Sequence, residues 1–154
     1  MISTDKEAQN IIDRSFNDPI ANIILKHSNL TSTQYESLII DFLTINLSDK
    51  KLTFQNKAVL RSKKVSRGSY SRSLGQARGN VISSIYTVLL LTYVGIFDAN
   101  PFDDYKDLAE KLSEYTSYIR DLEGNELTSY INLIEKELLE GLTRLSVNRS
   151  LRAV

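Results

Sequence analysis

Hydrophobic positions along most of the chain recur every three or four residues, the spacing of one face of an α-helix. No segment alternates apolar and polar residues as a strand between hairpin turns would. The two clearest stripes lie near the C-terminus: Tyr105, Leu108, Leu112, Tyr115, Ile119 and Leu122, then Leu127, Ile131, Ile134, Leu138, Leu142 and Leu145. The pattern predicts an all-α helical bundle ending in a pair of amphipathic helices, which either fold as a hairpin or form a dimer seam.

Capping residues and glycines indicate where the helices begin and end. Asp18-Pro19 and Asn100-Pro101 each place a capping side chain before a proline suited to a first helical turn. We expect helices over about 4–16 and 19–27, from Thr31 or Thr33, from Thr53 to Arg61, from Ser66 to Tyr93 or Val94, from Pro101, and over 126–145. Gly95 is expected to close the fifth helix, residues 46–49 to form a loop, and the basic tail 144–154 to fray. Leu38, Ile39, Phe42 and Leu43 are expected to form the apolar stripe of the third helix.

Residues 81–97 are apolar enough to require a membrane test. The run contains four hydroxyl side chains, Ser83, Ser84, Thr87 and Thr92. A spanning helix needs about twenty predominantly apolar residues, so this segment is short and too polar. It is expected to form the core as a central helix, enclosed by other helices or shared between two subunits, and no membrane partner is expected.

Composition sets broad limits on the class of protein. A chain of 154 residues is expected to form one domain, or one domain with an appendage, here divided as 1–97 and 98–154. The absence of Cys excludes disulfides and thiolate sites, and the lone His27 is expected at a helix end rather than in a metal or catalytic site. The N-terminal residues lack the pattern of a signal peptide, which predicts a cytoplasmic location.

Charge is distributed in blocks although the chain is neutral overall. Residues 1–49 have a net charge of −4, residues 50–97 of +9, residues 98–140 of −8 and residues 141–154 of +3. The second block contains nine Lys and Arg and no Asp or Glu. Such a block repels itself unless a polyanion or an acidic surface meets it. The two possibilities are a nucleic-acid partner and neutralisation by the chain's own acidic blocks.

A motif lies within the basic block. Val65 and Ser66 precede a basic turn, and the inward positions are expected to be Val65, Tyr70, Leu74, Ala77 and Val81. Upstream, residues 54–60 read as a positioning helix with Ala58 at the helix crossing. Over residues 53–81 the segment resembles the helix-turn-helix superfamily of DNA-binding proteins. Its turn is about two residues longer than the usual one and lacks the usual Gly, as in looser winged or resolvase-like variants, and no hairpin follows as a wing.

The resemblance implies that the helix beginning near Ser66 enters the major groove of double-stranded DNA, most commonly in a dimeric transcriptional regulator. The expected DNA-binding residues are Lys57, Arg61, Lys63, Lys64, Ser66, Arg67, Ser69, Arg72, Ser73, Gln76 and Arg78. Arg72 and Gln76 are suited to base edges, because Arg pairs with guanine and Gln with adenine. Gly75 and Gly79 share a face that admits another backbone, either a crossing helix or DNA.

Other functions have less support in the sequence. No P-loop, dinucleotide fingerprint, metal-ligand spacing or nucleophile elbow is present, so we expect no enzyme, cofactor or metal. The acidic residues read as a solvated face of amphipathic helices. The alternative function is a protein-interaction or assembly module, in which the acidic C-terminal helices dock on the basic segment 50–80 of a partner. A third reading, binding of single-stranded nucleic acid or RNA, lacks the exposed aromatics expected near the basic block.

Overall fold

The computed structural model describes residues 2–46, 52–97 and 101–150; for residues 2–8, 101, 102, 104 and 141–150 it describes the backbone alone. Over these ranges the chain is all-α, with seven helices and no strand. The helices are α1 (Ile2–Phe16), α2 (Pro19–Lys26), α3 (Ser32–Asn46), α4 (Phe54–Val59), α5 (Arg67–Tyr93), α6 (Pro101–Ile119) and α7 (Gly124–Ser150). The all-α prediction is confirmed, and α7 continues five residues beyond its expected end. Asn46, the first residue of the loop expected over 46–49, is instead the last residue of α3. The rest of that loop, the cap at Asn100 and the last four residues of the tail lie outside the described residues.

The expected caps account for most helix ends. The Asp18 carboxylate accepts hydrogen bonds from the backbone N–H groups of Ile20 and Ala21, at 2.8 and 3.1 Å. Thr31 rather than Thr33 caps α3, and it forms a reciprocal capping box with Gln34. The hydroxyls of Thr53 and Ser66 likewise accept from the backbone N–H three residues later, at the starts of α4 and α5. These ends depend on contacts within one turn, which explains why the sequence predicts them.

Gly95 closes α5 as expected. Its φ of 77° lies in the left-handed region, which favours glycine. The N–H of Ile96 donates to the carbonyl of Leu91 at 2.9 Å, and the N–H of Gly95 donates to that of Thr92 at 3.1 Å. These two bonds satisfy the last carbonyls of the helix in a Schellman motif.

The chain divides into two compact units, Met1–Ser84 and Ile85–Val154, and the division falls inside α5. The core of the first unit is formed by Ile12, Ile40, Ala58, Tyr70 and Leu74. Four helices therefore contribute to one cluster: α1, α3, α4 and the first half of α5. The predicted burial of Ala58, Tyr70, Leu74 and Ala77 is confirmed, and Val65 packs against the cluster.

The buried face of α3 is broader than the expected one. Leu38, Ile39 and Leu43 of the expected stripe pack against the core cluster, but Phe42 is 66% exposed, and Ile45 is 61% exposed. The fully buried residues of α3 are instead Glu36, Ser37, Ile40, Asp41 and Thr44. The expectation that the acidic residues lie on a solvated face is therefore wrong for Glu36 and Asp41. Their burial is compensated by cations on α4, on the turn after it and on α5, as described below.

The expectation that residues 81–97 form the core is also wrong. Nine large apolar residues of this stretch are between 38% and 86% exposed: Val81, Ile82, Ile85, Tyr86, Leu89, Leu90, Tyr93, Val94 and Ile96. The expected inward position at Val81 belongs to this exposed set. The hydrophobicity of residues 81–93, the second half of α5, predicted that this half packs against other helices. No described helix of the chain buries these nine side chains. None of the described helices combines the length and apolar character needed to cross a bilayer.

The second unit contains the expected pair of amphipathic helices. Five positions of the first stripe lie on α6, and Leu122 lies in the connection to α7. All six, with Leu127, Ile131, Ile134 and Leu138 of α7, are buried or partly buried. The rings of Tyr115 and Tyr130 meet edge to face with centroids 6.3 Å apart, which joins α6 to α7. This contact favours the hairpin reading of the two stripes. The side chains of Leu142 and Leu145 lie outside the described residues.

Candidate nucleic-acid interface

Three cations of the basic block are paired with carboxylates on α3. Lys57 Nζ lies 2.7 Å from Asp41 Oδ1, and both side chains are less than 10% exposed. Arg78 reaches the other oxygen, Asp41 Oδ2, at 2.6 Å. Arg61 Nε lies 3.0 Å from Glu36 Oε2 and is also buried. The acid-free segment is thus partly neutralised by acids that precede it in the chain.

These ion pairs attach α4, the following turn and α5 to α3. Glu36 also accepts a hydrogen bond from the backbone N–H of Ser62 at 2.6 Å, so one carboxylate holds both the end of α4 and the turn. Asp41 bridges α4 to α5, since Lys57 belongs to the first helix and Arg78 to the second. Because these buried polar groups are paired, their desolvation is compensated.

The charge of Asp41 depends on its two partners. Burial by itself raises the pKa of the Asp41 carboxyl, but the hydrogen bonds and positive charges of Lys57 and Arg78 together outweigh it. The net effect is a pKa below the ordinary value. Asp41 therefore remains ionised at neutral pH although it is buried.

Tyr70 fixes the roll of α5 against α3. Its hydroxyl donates to the backbone carbonyl of Ser37 at 3.2 Å, and its ring lies 6.1 Å from that of Phe54 on α4. Burial, followed by the negative charge of Asp41, raises the pKa of the phenol well above its usual range. With Leu74 and Ala77, Tyr70 forms the buried face of the first half of α5. The opposite face of the same turns is consequently directed toward solvent.

The solvent-facing side of this half-helix carries the rest of the predicted site. Lys63 and Lys64 in the turn and Arg67 and Arg72 on α5 are exposed, and within the described side chains no carboxylate pairs with them. Ser66, Ser69 and Gln76 are exposed as well, and Ser73 is partly buried. Arg72 and Gln76 lie one turn apart, which places them on the same side of the helix.

The eleven predicted site residues therefore fall into three groups, two buried, one half-exposed and eight on the open surface. Lys57 and Arg61 are buried in ion pairs with α3, so the expectation that they contact phosphate is not supported by their position. Arg78 is half-exposed, with one face of its guanidinium committed to Asp41. The other eight residues share an open surface around the start of α5.

Glu36 and Asp41 are the residues that sequence reasoning missed. The available signal was the polar set at positions 36, 37, 41 and 44, which surrounds Ile40 on one face of α3 while Phe42 and Ile45 fall on the other. A buried polar face requires partners, and the acid-free segment that follows contains the matching cations.

Among the described residues, no three His, Asp or Glu side chains come together as a metal centre would require. Comparison of the chain with protein-family models, with curated proteins and with solved structures finds no match in any of the three. The functional argument therefore depends on the geometry of the first unit.

Proposed function

We propose that this protein binds double-stranded DNA and inserts the first half of α5 into the major groove. One observation carries the proposal: α3 pairs with Lys57, Arg61 and Arg78, whereas the cations on the outer side of the turn and of α5 have no partner among the described carboxylates. If the basic block served only to balance the acidic blocks, its outer cations would be paired too. An exposed acid-free surface instead matches a phosphate backbone.

The positions on α5 suit direct reading of base edges. Arg72 and Gln76 lie on the outer face, one turn apart, and can reach successive base pairs as the helix lies in the groove. Ser69 lies about one turn before Arg72 and two turns before Gln76, on the same exposed surface. Arg pairs bidentately with guanine and Gln with adenine, so these two residues are assigned to sequence preference.

The start of α5 supplies the phosphate contacts. Lys63 and Lys64 lie in the turn and Arg67 in the first turn of the helix. The cap at Ser66 leaves the first backbone N–H groups directed outward, where an anion is favoured by the helix dipole. These residues are assigned to affinity and register on the duplex rather than to sequence.

Transcriptional regulation by a homodimer is the role we assign to this architecture. The assignment follows from the arrangement of α3, α4 and α5, in which a short helix and a long helix pack on a third, as in helix-turn-helix domains. It is an argument from fold-level analogy, and the DNA-binding surface does not depend on it.

The salt dependence of duplex binding tests the proposal. The three exposed cations assigned to phosphates, Lys63, Lys64 and Arg67, predict that log K falls with log salt concentration with a slope of about −3, from about −0.9 per neutralised phosphate. Binding is measured by fluorescence anisotropy on random and on selected duplexes. A chain that binds no duplex at low salt contradicts the proposal.

Two variants distinguish contacts to base edges from contacts to phosphates. Arg72→Ala is expected to reduce the preference for the selected duplex by about 1–3 kcal/mol. Lys63→Ala combined with Lys64→Ala is expected to weaken binding to all duplexes alike and to reduce the salt slope by about two. Lys106→Ala, an exposed lysine on α6, is the control and should change neither quantity. If both variants lose affinity equally for random and selected duplexes, Arg72 does not recognise base pairs.

A second candidate function is supported by the acidic face of the C-terminal helices. Asp107, Glu110 and Glu114 of α6 are exposed, and residues 98–140 carry a net charge of −8. In this candidate, α6 and α7 of one chain dock on the basic surface of another, without DNA. A salt-sensitive oligomer in light scattering, combined with no gel shift at low salt, would favour it over DNA binding.

A further inference from the structure

One face of α5 stays open from the DNA-binding half to the end of the helix. Its positions are Gly75, Gly79, Ile82, Tyr86, Leu89 and Tyr93. At 3.6 residues per turn these six positions fall within about 80° of the helix circumference. They form a stripe distinct from the buried face of Tyr70, Leu74 and Ala77. We call this stripe the α5 seam.

The α5 seam combines bare backbone with bulky side chains. A Cβ added at Gly75 or Gly79 would meet no described atom within 4 Å. The other four positions are exposed by 53% at Ile82, 66% at Tyr86, 56% at Leu89 and 86% at Tyr93. Glycine weakens a helix relative to alanine, and exposed apolar side chains favour removal from water. Both features are unfavourable in a helix face that stays in solvent, and both suit a close helix–helix contact.

We propose that the α5 seam pairs antiparallel with the α5 seam of a second copy of this chain, centred on residue 84. That register places Gly75 opposite Tyr93, Gly79 opposite Leu89 and Ile82 opposite Tyr86. The most exposed aromatic side chain therefore meets a position without a side chain, and each small position meets a large one. The stripe is complementary to itself, as a two-fold symmetric interface requires.

Charge supports a second copy as the occupant. Residues 79–97 contain no charged residue. Two copies can therefore approach along this stretch without like charges opposing each other, whereas a strongly charged partner would find nothing to pair with. Burial of an uncharged apolar helix face against itself is the usual composition of a homodimer interface.

The exposed apolar area of the α5 seam is large for a surface left in solvent. Tyr86 and Tyr93, exposed by 66% and 86%, present most of the about 150–250 Å² that an aromatic side chain can bury. With Ile82 and Leu89, each more than half exposed, the four apolar seam residues amount to roughly 500 Å². The largest apolar patch on a typical monomer is about 300–600 Å², and each partner of a standard interface contributes about 800 Å². The seam is thus as large as the largest patches on a monomer, and the exposed side chains that flank it, Ile85 and Leu90, extend it toward the area of a standard interface.

The same register sets the distance between the two copies of Arg72, and the meaning of that distance rests on the proposed function. Arg72 lies twelve residues from the centre of the pairing, and the helix rises 1.5 Å per residue, so the two copies of Arg72 lie about 36 Å apart along the helices. Half-sites one turn of DNA apart are separated by about 34–36 Å. The dimer would thus present two reading surfaces at the spacing of successive major grooves.

Light scattering and sedimentation equilibrium test the interface without DNA. The wild-type chain is expected to have a mass twice the 17.5 kDa of one chain. Tyr93→Glu is expected to raise the dimer dissociation constant roughly tenfold or more, because it removes an aromatic anchor and buries a charge. Tyr118→Glu is the matched control, since Tyr118 is 65% exposed on α6 and outside the seam, and it should remain dimeric. A monomeric wild type, or dissociation by the control rather than by Tyr93→Glu, would overturn the proposal.

Cysteine cross-linking tests the register and does not depend on a destabilising variant. The chain has no native Cys, so each introduced thiol reports one position. Gly79→Cys combined with Leu89→Cys is expected to form a covalent dimer on mild oxidation, because the antiparallel register brings the two positions together. Gly79→Cys alone is expected to stay uncross-linked. A cross-link from the single variant indicates a parallel pair, and no cross-link from either excludes the seam.

The two proposals fail separately. A wild-type monomer that still binds duplex DNA removes the dimer seam and leaves the DNA-binding surface. A dimer that cross-links in the expected register but binds no duplex retains the seam and removes the proposed function together with the half-site spacing.

Discussion

The two halves of α5 use the same helix in opposite ways. The first half is rich in Ser, Gly and Arg, and yet it supplies three of the most completely buried residues of the first unit, Tyr70, Leu74 and Ala77. The second half carries no charged residue and most of the large apolar residues of the helix, and these are largely exposed. Burial along α5 therefore follows the contact with α3 and not the hydrophobicity of the segment. The sequence shows which segments are apolar enough to favour burial. Only the tertiary structure shows whether other helices of the same chain bury them.

The difference originates in the polar face of α3. Asp41 and Glu36 hold Lys57, Arg61 and Arg78, and this set of ion pairs anchors α4 and the first half of α5. The second half carries no charged residue, so it has no ion pair of this kind. The comparison predicts that the first half responds strongly to changes in α3, and the second half responds to changes in association.

Removal of the Asp41 charge should have the largest effect. Asp41→Asn leaves Lys57 buried without a carboxylate, and it also removes the partner of Arg78. Loss of one member of a buried ion pair costs about 3–5 kcal/mol. Urea denaturation at neutral pH measures the loss. Glu110→Gln, which removes an exposed ion pair with Lys106, is the control and should cost less than about 0.5 kcal/mol.

The pH dependence of that loss checks its electrostatic origin. The folded pKa of Asp41 lies below the ordinary 3.8, so the carboxylate binds protons more weakly in the folded state. Its stabilisation is fully present above the ordinary pKa and disappears as the pH falls through the folded pKa. The difference between wild type and Asp41→Asn should therefore shrink in acid. A difference that stays constant down to the acid limit contradicts an ionic contribution.

Two leucines of α5 give the most direct contrast between its halves. Leu74 is 2% exposed and Leu89 is 56% exposed. Leu74→Ala is expected to lower the free energy of unfolding by about 2–5 kcal/mol, because it leaves a cavity. Leu89→Ala, compared in the monomeric Tyr93→Glu background, is expected to change it by less than about 0.5 kcal/mol. Equal losses for the two would show that the second half of α5 is packed within one chain.

Gly79→Ala should have the smallest effect. It is expected to stabilise the monomer and to weaken the dimer. In the Tyr93→Glu background the added methyl meets open space, so the helix is stabilised by up to about 1 kcal/mol. In the wild-type background the same methyl lies opposite Leu89 and should weaken the dimer. Thermal unfolding of the monomer and sedimentation equilibrium of the dimer measure the two effects. If Gly79→Ala changes the thermal stability of the monomer but not the dissociation constant of the dimer, Gly79 lies outside the interface.

The sequence predicted the local elements of the fold well. The caps at Asp18, Thr53 and Ser66 and the termination at Gly95 were confirmed, because each depends on hydrogen bonds within a few residues. The stripe of α6 was confirmed for the same reason, since helical periodicity alone determines which residues share a face. The buried face of α3 was predicted only in part. Leu38, Ile39 and Leu43 pack against the core as expected, but Phe42 is exposed. The polar residues around Ile40 are buried because their partners lie on other elements.

The candidate site was predictable only in part. The sequence shows a run of cations without acids. It does not show which of these cations remain exposed and free to contact DNA. Lys57 and Arg61 are 6% and 8% exposed, whereas Arg72 is open to solvent. The distinction depends on carboxylates 16 and 25 residues upstream, and no local pattern specifies which cation they reach.

The amino-acid sequence by itself determined the helices, their ends and the basic character of the segment around α5. These properties follow from hydrogen bonds, side-chain spacing and charge, which act over one or two turns. The tertiary structure decided which charges are neutralised and which apolar face stays uncovered. Both outcomes depend on the packing of α3 against elements distant in the chain, because a buried charge and an apolar face are each stabilised by a partner that the local sequence does not contain.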